Sequence, residues 1–477
     1  MIIGIWLKID NVSVSDFLLL YICDHINTGS LVFLKKISNI GSLQSFQILR
    51  FTTFLLISVI FARSSLSVAE IGYYELSLFI ASAISFFWVN GLIQSLLPLY
   101  NNNKTFRVLA DSNKSKSPEL FNAFLLLSSF SLLAFIFCIL FKRAFYMFEG
   151  VREISFMNLV FVYILLSNPG HLIEYIYLLK NKPAELIIYG FATFGIQLAI
   201  VTLPVLLGYP VEFAIWGLIV ISVLRLVWLA VLLRRHARFR ISTGFMKEHI
   251  SLGLPLILSS LLSGSAQYID GVIISSSYDA ARFAVFRFGA KEFPLVILLA
   301  NGLSNAMLPE FSTRDKVDKA LRTIKTKSKR LMHLLFPLSI LLLFFSKVIY
   351  INLFSESFSR SADVFMVYLL LIISRLVFPQ TILIGLKKTR IVLAASLVEI
   401  ILNVSLSLFL IRYYGIVGVA VATSIVFLVE KMVLVGYNYF KLKIKPQDYI
   451  PLGVYFFYSF LIIIIFILLD HRIIRLH

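Results

Sequence analysis

Two neighbouring segments of the chain carry polar and charged side chains inside apolar stretches. Arg287 and Lys291 are four residues apart, so they lie one turn apart on the same face of a helix. In the segment before them, a polar stripe with helical spacings of four, four and three is formed by Ser259, Ser263, Gln267 and Asp270. Charged groups inside a bilayer are tolerated where they face protein or water. The two faces therefore predict a place where something polar is held or passes.

Other ionisable residues also lie inside apolar stretches, and their types indicate two kinds of chemistry. Arg50 is cationic, and a guanidinium group can replace the water lost by a phosphate with two parallel hydrogen bonds. Glu174 and Glu399 are acidic, as is Asp270 of the polar stripe. Carboxylates inside a membrane can bind protons or sodium. These three acids are therefore candidates for coupling transport to an ion gradient.

A second interpretation is that these charges pair with one another and only determine helix packing. Asp270 could pair with Arg287 across the two helices, and Arg375 could pair with Glu399. Arg225 could extend its side chain to the nearest membrane surface. The sequence does not separate a buried partner from an ion-coupling group, so both interpretations remain open.

The elements that must position these residues are membrane-spanning helices. The chain has 477 residues, of which 59% are hydrophobic and 14% charged, and this is too apolar for a soluble globule. A helix of about 20 apolar residues crosses the hydrocarbon core. Such runs occur near 45–63, 71–98, 119–141, 155–179, 184–207, 211–233, 249–276, 283–308, 330–351, 363–385, 389–411, 416–439 and 450–469. We expect an all-α polytopic membrane protein with twelve core helices and one additional C-terminal helix.

The net charge of +19 is explained by where the basic residues lie. If the N-terminus is cytoplasmic, the inside loops near 104–116, 180–182, 234–247, 314–330, 387–390 and 441–445 hold most of the Lys and Arg residues. This bias fixes the orientation by the positive-inside rule. The basic excess is a topology signal, and we expect no nucleic-acid partner.

The sequence offers little support for an enzyme, a metal site or a cofactor. It has two cysteines, Cys23 and Cys138, and seven scattered histidines without a metal-binding spacing. A membrane polymerase or glycosyltransferase needs a sizeable outer loop, whereas the longest one here, 142–153, has about a dozen residues. The chain also lacks the GxxxxGK[ST] motif of ATP-driven transporters. We therefore expect a transporter that is not an enzyme and holds no metal or cofactor.

Three short motifs recur in register in the two halves of the chain. NGLIQSLLPLY (90–100) matches NGLSNAMLPEF (301–311), 178–184 resembles 385–391, and 215–224 resembles 417–426. Both halves begin on the same side of the membrane, so the repeat is parallel, and a solute site is expected between two such lobes. The predicted domains are an interfacial or disordered lead-in (1–40), an N-lobe (41–240), a C-lobe (241–445) and a C-terminal hydrophobic helix (446–477).

The first two spans carry a more specific signal. Arg50 lies in the first helix, a short outer link contains Glu70-Ile71-Gly72-Tyr73-Tyr74, and the second helix ends in Asn90-Gly91-Leu92. This pattern resembles the Wzx-type polysaccharide flippases of the multidrug/oligosaccharidyl-lipid/polysaccharide exporter superfamily.

The resemblance implies a V-shaped transporter with two six-helix lobes in the bacterial inner membrane. It would carry an undecaprenyl-pyrophosphate-linked oligosaccharide, an O-antigen or capsule repeat unit, by alternating access. A cationic cavity would hold the pyrophosphate, and the residues placed to supply it are Arg50, Arg287 and Lys291. Its expected partners are the lipid-linked oligosaccharide, membrane lipids and other polysaccharide-assembly proteins.

The nearest alternative is an ion-coupled small-molecule antiporter, either of the multidrug branch or of the major facilitator fold. The usual facilitator signature between helices two and three is missing from NNNKTFRVLADSNKSKSPE (101–119).

The repeat also aligns Arg287 and Lys291 with the apolar Leu76 and Ile80. The cationic face is therefore an addition to one lobe, and this asymmetry favours a functional role over packing alone.

Overall fold

A computed structural model of the chain describes residues 39–107, 116–152, 154–311 and 317–470. These ranges are helical throughout, apart from connections and one isolated bridge between Ser117 and Ala237. The predicted all-α class is confirmed. The predicted lead-in, 1–40, lies outside the described residues except for its last two.

In its described residues, the first half of the chain forms seven helices of eight residues or more, besides the four-residue helix Lys142–Phe145. They are α1 (Asn39–Ala62), α2 (Val68–Arg107), α3 (Pro118–Leu140), α4 (Met157–Ser167), α5 (Leu172–Leu179), α6 (Pro183–Leu206) and α7 (Glu212–His236). A 3-10 turn, Asn168–His171, joins α4 to α5, so these two helices make a single pass through the membrane. Proline at the start of α3 and of α6 favours helix initiation, because its missing N–H needs no partner there.

The second half forms eight labelled helices. They are α8 (Thr243–Ser277), α9 (Ala280–Gly289), α10 (Pro294–Phe311), α11 (Val317–Leu353), α12 (Ser359–Leu369), α13 (Pro379–Gly385), α14 (Thr389–Phe440) and α15 (Leu452–Asp470). Ser242 caps α8 by accepting a hydrogen bond from the Phe245 amide, and Asp279 caps α9 in the same way through the Arg282 amide. The predicted eighth span is broken, because residues 290–293 are not helical.

The predicted number of passes agrees with the helices. Among the described residues, ten helices are long and apolar enough to cross a membrane. One of them, α14, contains Gly415 with a φ of 60°, so it consists of two helices that meet at a kink. Counting α14 twice and adding α8 and the broken pair α9 and α10 gives thirteen passes. The last helix, α15, packs along α11, where Tyr458 stacks on Phe336 with ring centroids 5.3 Å apart.

The two halves meet along α2 and α8. Gly91 of α2 allows this approach, because a Cβ atom at that position would lie 2.6 Å from the Ile257 nitrogen of α8. At its repeat counterpart Gly302, no atom of the described residues lies within 4 Å of such a Cβ atom. The shared Asn-Gly-Leu motif therefore has different packing roles in the two halves.

The two ends of the molecule differ in charge. We call the end with the Lys- and Arg-rich connections near 180–182, 234–247, 387–390 and 441–445 the basic end. At the opposite end, one core joins both halves through buried side chains such as Phe61, Ile71, Tyr74, Ile274 and Phe283. The first section of the broken span, α9, packs against α2, whereas α10 packs against α11 and α13. The predicted division of the chain at residues 240 and 445 remains a prediction.

Candidate functional site: a charged cavity between the two halves

A cavity of about 640 Å³ lies between the two halves of the chain. Most of its wall comes from α1, α2 and the pass formed by α4 and α5. The second half contributes Tyr268 from α8, Arg287 from α9 and Lys291 from the break that follows. The three predicted phosphate-binding residues, Arg50, Arg287 and Lys291, all line this one cavity. Their roles remain predictions.

One group of charges surrounds Glu174, which is 4% exposed. Arg50 donates to it from Nη2 at 2.7 Å, and Gln47 donates from Nε2 at 3.4 Å. His171 places Nδ1 3.5 Å from the same carboxylate, and the 3-10 turn between α4 and α5 orients that ring. Glu174, predicted as an ion-coupling residue, is therefore the counter-ion of Arg50.

A second group of charges lies where the broken span faces α1 and α2. Arg287 Nε is 3.9 Å from Glu75 Oε2, too far for a hydrogen bond, and this buried nitrogen has no hydrogen-bond partner in the part of the chain that the structure describes. Lys291 Nζ lies 3.5 Å from Ser58 Oγ, and Ser58 in turn donates to Glu75 at 3.3 Å. The break at 290–293 turns Lys291 toward the first half of the chain.

The cavity carries more positive than negative charge. Its lining residues include three cations, Arg50, Arg287 and Lys291, and two carboxylates, Glu75 and Glu174. Each cation also lies over an aromatic ring: Phe46 for Arg50 at 5.1 Å, Phe79 for Arg287 at 5.8 Å and Phe288 for Lys291 at 5.0 Å. Such contacts are favourable and hold a cation in position without neutralising it.

The predicted polar stripe on α8 does not line this cavity as a unit. Ser259 is exposed on α8, and the side chains of Ser263 and Gln267 lie outside the described residues. Asp270 is 4% exposed and points into the second half. Tyr268, which the stripe did not include, is the α8 residue that reaches the cavity.

Asp270 is held by neutral donors. It accepts hydrogen bonds from the hydroxyls of Thr423 at 2.6 Å and Tyr368 at 2.7 Å, and from Asn403 Nδ2 at 3.4 Å. The suggested ion pair between Asp270 and Arg287 is wrong, because the carboxylate nearest Arg287 is Glu75. Among the described residues, Asp270 forms no ion pair. We call Asp270, Tyr368, Asn403 and Thr423 the buried acid cluster.

The remaining predicted charges are distributed through the second half. Arg375 pairs with Glu292 at 2.5 Å, so its suggested pairing with Glu399 is wrong. Glu399 is 7% exposed and lines a small void with Glu430, whose carboxylate is paired with Lys431 at 2.8 Å. These groups lie outside the central cavity.

Several cavity residues were not predicted from the sequence. Glu75 was passed over although it is an acid inside a predicted span, and that position alone could have identified it. His171 lies three residues before Glu174, which is a helical neighbour spacing. The tyrosines at 163, 175 and 268 gave no signal, because aromatic residues are common throughout this chain. In the described ranges, no group of three or more His, Cys, Asp or Glu residues could hold a metal ion.

Comparisons with known proteins identify relatives of the chain. The family described as "Polysaccharide biosynthesis protein" matches residues 60–363. Among solved structures, the lipid II flippase MurJ in an inward closed conformation is similar with a TM-score of 0.63 and 16% identity, over 91% of this chain and 93% of that one. No curated protein sequence matches.

Two transporter structures of the MOP superfamily are also similar. An inward-facing multidrug resistance MATE transporter gives a TM-score of 0.57 at 13% identity, covering 85% of this chain and 98% of that one. An outward-facing MATE transporter gives 0.53 at 13% identity, covering 86% and 97%. The chain therefore has the predicted two-lobed transporter fold of this superfamily.

Proposed function

Because the chain belongs to the family of polysaccharide biosynthesis proteins, we propose that it is a flippase for a lipid-linked oligosaccharide. Its cargo would be an undecaprenyl-pyrophosphate-linked repeat unit of O-antigen or capsule. The fold supports this proposal, since it is shared with a lipid II flippase and with multidrug transporters. A repeat unit attached to a lipid is a polar group on a long apolar tail, which needs a polar route beside the bilayer.

The observation that carries the proposal is the position of the three cations. Arg50, Arg287 and Lys291 come from distant parts of the sequence and line one cavity between the two halves. A pyrophosphate loses its hydration inside a membrane, and guanidinium and ammonium groups can replace those hydrogen bonds. The cavity would receive the headgroup while the lipid tail stays in the bilayer.

The proposed movement is a rocking of the two lobes about this cavity. The core shared by the two halves at the end opposite the basic end would open in one state and close in the other. We propose that the protein lies in the bacterial inner membrane with its N-terminus and basic end in the cytoplasm, as the positive-inside rule predicts. The headgroup would then enter from the basic end.

Ion coupling is part of the same proposal. The buried acid cluster holds a carboxylate with neutral donors, which leaves its charge available to a proton or a sodium ion. Glu399 is a second candidate because it is also buried. Glu174 is a weaker candidate, since Arg50 already neutralises it.

A small-molecule or multidrug antiporter is the alternative, and the shared fold with MATE transporters favours it. The cavity argues against a cationic drug, because its three cations outnumber its two carboxylates. A membrane polymerase or glycosyltransferase is a third possibility of a different class. Among the described residues, the cavity pairs each of its carboxylates with a neighbouring cation, which suits binding better than proton transfer.

Deletion of the gene tests these proposals. A flippase mutant should lose surface polysaccharide and accumulate the lipid-linked repeat unit on the cytoplasmic leaflet, and the restored gene should reverse both effects. A mutant with normal polysaccharide and increased drug sensitivity would contradict the flippase and favour the antiporter. Loss of polysaccharide with an accumulated repeat unit already on the outer leaflet would instead indicate a polymerase.

A further inference from the structure

The cations of the cavity are not equivalent. Arg50 makes a 2.7 Å ion pair with Glu174, a carboxylate that is almost fully buried. A phosphate that approached Arg50 would meet the Glu174 charge at once, because the two side chains share a hydrogen bond. Arg50 is therefore poorly suited to bind an anion.

Arg287 and Lys291 have the opposite character. Two cations share one carboxylate, Glu75, and the nearest approach is 3.9 Å. Among the described residues, the buried Arg287 Nε–H has no acceptor, and the Lys291 ammonium makes one long hydrogen bond, to Ser58. A buried donor without a partner is unfavourable unless something supplies an acceptor. This end of the cavity has the excess charge and the free donor that a diphosphate requires.

The two groups of charges are separated along α1. Arg50 contacts Glu174, and Ser58, eight residues further on, contacts Lys291. A rise of 1.5 Å per residue places them about 12 Å apart along the helix axis. A headgroup that extends from its phosphates into its first sugars could therefore touch both groups at once.

The surroundings of Glu174 offer hydrogen bonds without net charge. The polar groups here are the Glu174 carboxylate, the Gln47 amide, the His171 imidazole and the Arg50 guanidinium. Asn168 lines the same part of the wall. Tyr163 and Tyr175 also line the cavity here. Planar donors and acceptors beside aromatic rings can bind sugar hydroxyls and the apolar face of a sugar ring.

We propose that the cluster of Gln47, Arg50, His171 and Glu174 is the saccharide subsite, and that Arg287 and Lys291 form the diphosphate subsite. This assignment rests on the proposed flippase function and deepens it. The cluster carries no net charge, because Glu174 neutralises Arg50, so it offers no unpaired cation to the carboxylate of a sugar acid. The saccharide next to the diphosphate is therefore a neutral or N-acetylated hexose.

The test compares two ligands on the purified full-length protein in detergent. One is a polyprenyl diphosphate without sugar, and the other is the same lipid with one N-acetylhexosamine. The wild-type protein should bind the glycosylated ligand about 10-fold more tightly, as expected for one or two additional hydrogen bonds. The ratio of the two affinities is the readout, because a general loss of folded protein affects both ligands equally.

Two variants separate the subsites. Arg50→Gln/Glu174→Gln removes one charge of each sign, so it should reduce the affinity ratio to about 1. Arg287→Gln/Lys291→Gln should lower the affinity for both ligands about 100-fold and leave the ratio of the two affinities unchanged. Gln47→Ala, which leaves the ion pair intact, should lower the ratio about threefold.

The outcomes distinguish the two proposals. Equal affinities in the wild-type protein, or a normal ratio in Arg50→Gln/Glu174→Gln, would overturn the saccharide subsite and leave the flippase in place. The saccharide subsite would also be overturned if Arg50→Gln/Glu174→Gln weakened binding of the unglycosylated lipid as much as Arg287→Gln/Lys291→Gln does. If the wild-type protein binds neither ligand, the proposed function itself fails.

Discussion

The central cavity and the buried acid cluster hold their charges in different ways. In the cavity, carboxylates face cations, as Glu174 does Arg50 and Glu75 does Arg287. In the buried acid cluster, Asp270 is surrounded by the hydroxyls of Tyr368 and Thr423 instead. The cavity is open to a large ligand, whereas the cluster is closed to anything larger than a small ion. A cavity with more cations than carboxylates suits an anionic cargo, and a buried carboxylate held by neutral donors suits a coupling site.

The largest effect should follow from neutralising the cavity cations that have spare donors. Arg287→Gln/Lys291→Gln should reduce surface polysaccharide about 100-fold, because each charge-assisted hydrogen bond contributes about 1.5–3 kcal/mol. Expression must be matched by immunoblot of the membrane fraction. The control is Arg282→Gln. Arg282 is an exposed cation on the same helix as Arg287, but it does not line the cavity. A normal amount of surface polysaccharide in the double variant would contradict a role of the cavity cations in transport.

The next prediction compares one carboxylate from each region. Glu174→Gln leaves Arg50 without its counter-ion, so it should lower the free energy of unfolding by about 1–2 kcal/mol, a moderate value because Arg50 is 29% exposed. Asp270→Asn leaves no cation unpaired and keeps a similar shape. Its melting temperature should change less than that of Glu174→Gln, while its transport should fall at least tenfold if Asp270 couples transport to an ion.

Thermal unfolding in detergent and ion-driven uptake in vesicles measure these two effects. If Asp270→Asn destabilises the protein more than Glu174→Gln, Asp270 is a structural residue and the contrast between the regions is lost. The same conclusion follows if Asp270→Asn transports normally.

The glycines of the repeated motif extend the comparison to the scaffold. Gly91→Ala should destabilise the protein by about 1–3 kcal/mol, because the new Cβ would collide with the Ile257 backbone where the halves meet. Gly302→Ala is the matched control, and it should be neutral or stabilising by up to about 1 kcal/mol, since a Cβ there meets nothing. Equal losses at the two positions would indicate that the motif has one shared role.

The sequence predicts the membrane helices and the cavity cations better than it predicts their partners. Long apolar runs mark the helices because a bilayer demands them, and a cation inside such a run has few places to face. Which acid meets which cation depends on how helices distant in sequence are packed. That is why the sequence suggests Glu399 as the partner of Arg375 and Arg287 as the partner of Asp270, whereas the structure pairs Arg375 with Glu292 and gives Asp270 neutral donors. The break at 290–293 was also missed, since LVILLANGL continues an apolar run after Glu292.

The smallest effect is expected at the end opposite the basic end, where the two halves share a polar contact. Arg63, just after α1, donates to the backbone carbonyls of Asn352 and Leu353 at the end of α11. A cation at the C-terminus of a helix is favourable because it compensates the helix dipole. Arg63→Ala should therefore shift the protein toward a state open at this end by about two- to tenfold. Arg152→Ala, which removes another exposed cation from the same end, is the control.

Spin labels placed on the two halves at this end would measure the population of the open state. An increased open population in Arg63→Ala, with unchanged melting temperature, would mean that closure at this end is held by a weak polar contact in addition to the shared core. An unchanged population would assign closure to the core alone. In that case the rocking movement must separate buried apolar surface such as that around Phe61 and Phe283, which costs more than breaking an exposed hydrogen bond, and the cargo or the coupling ion would have to supply that free energy.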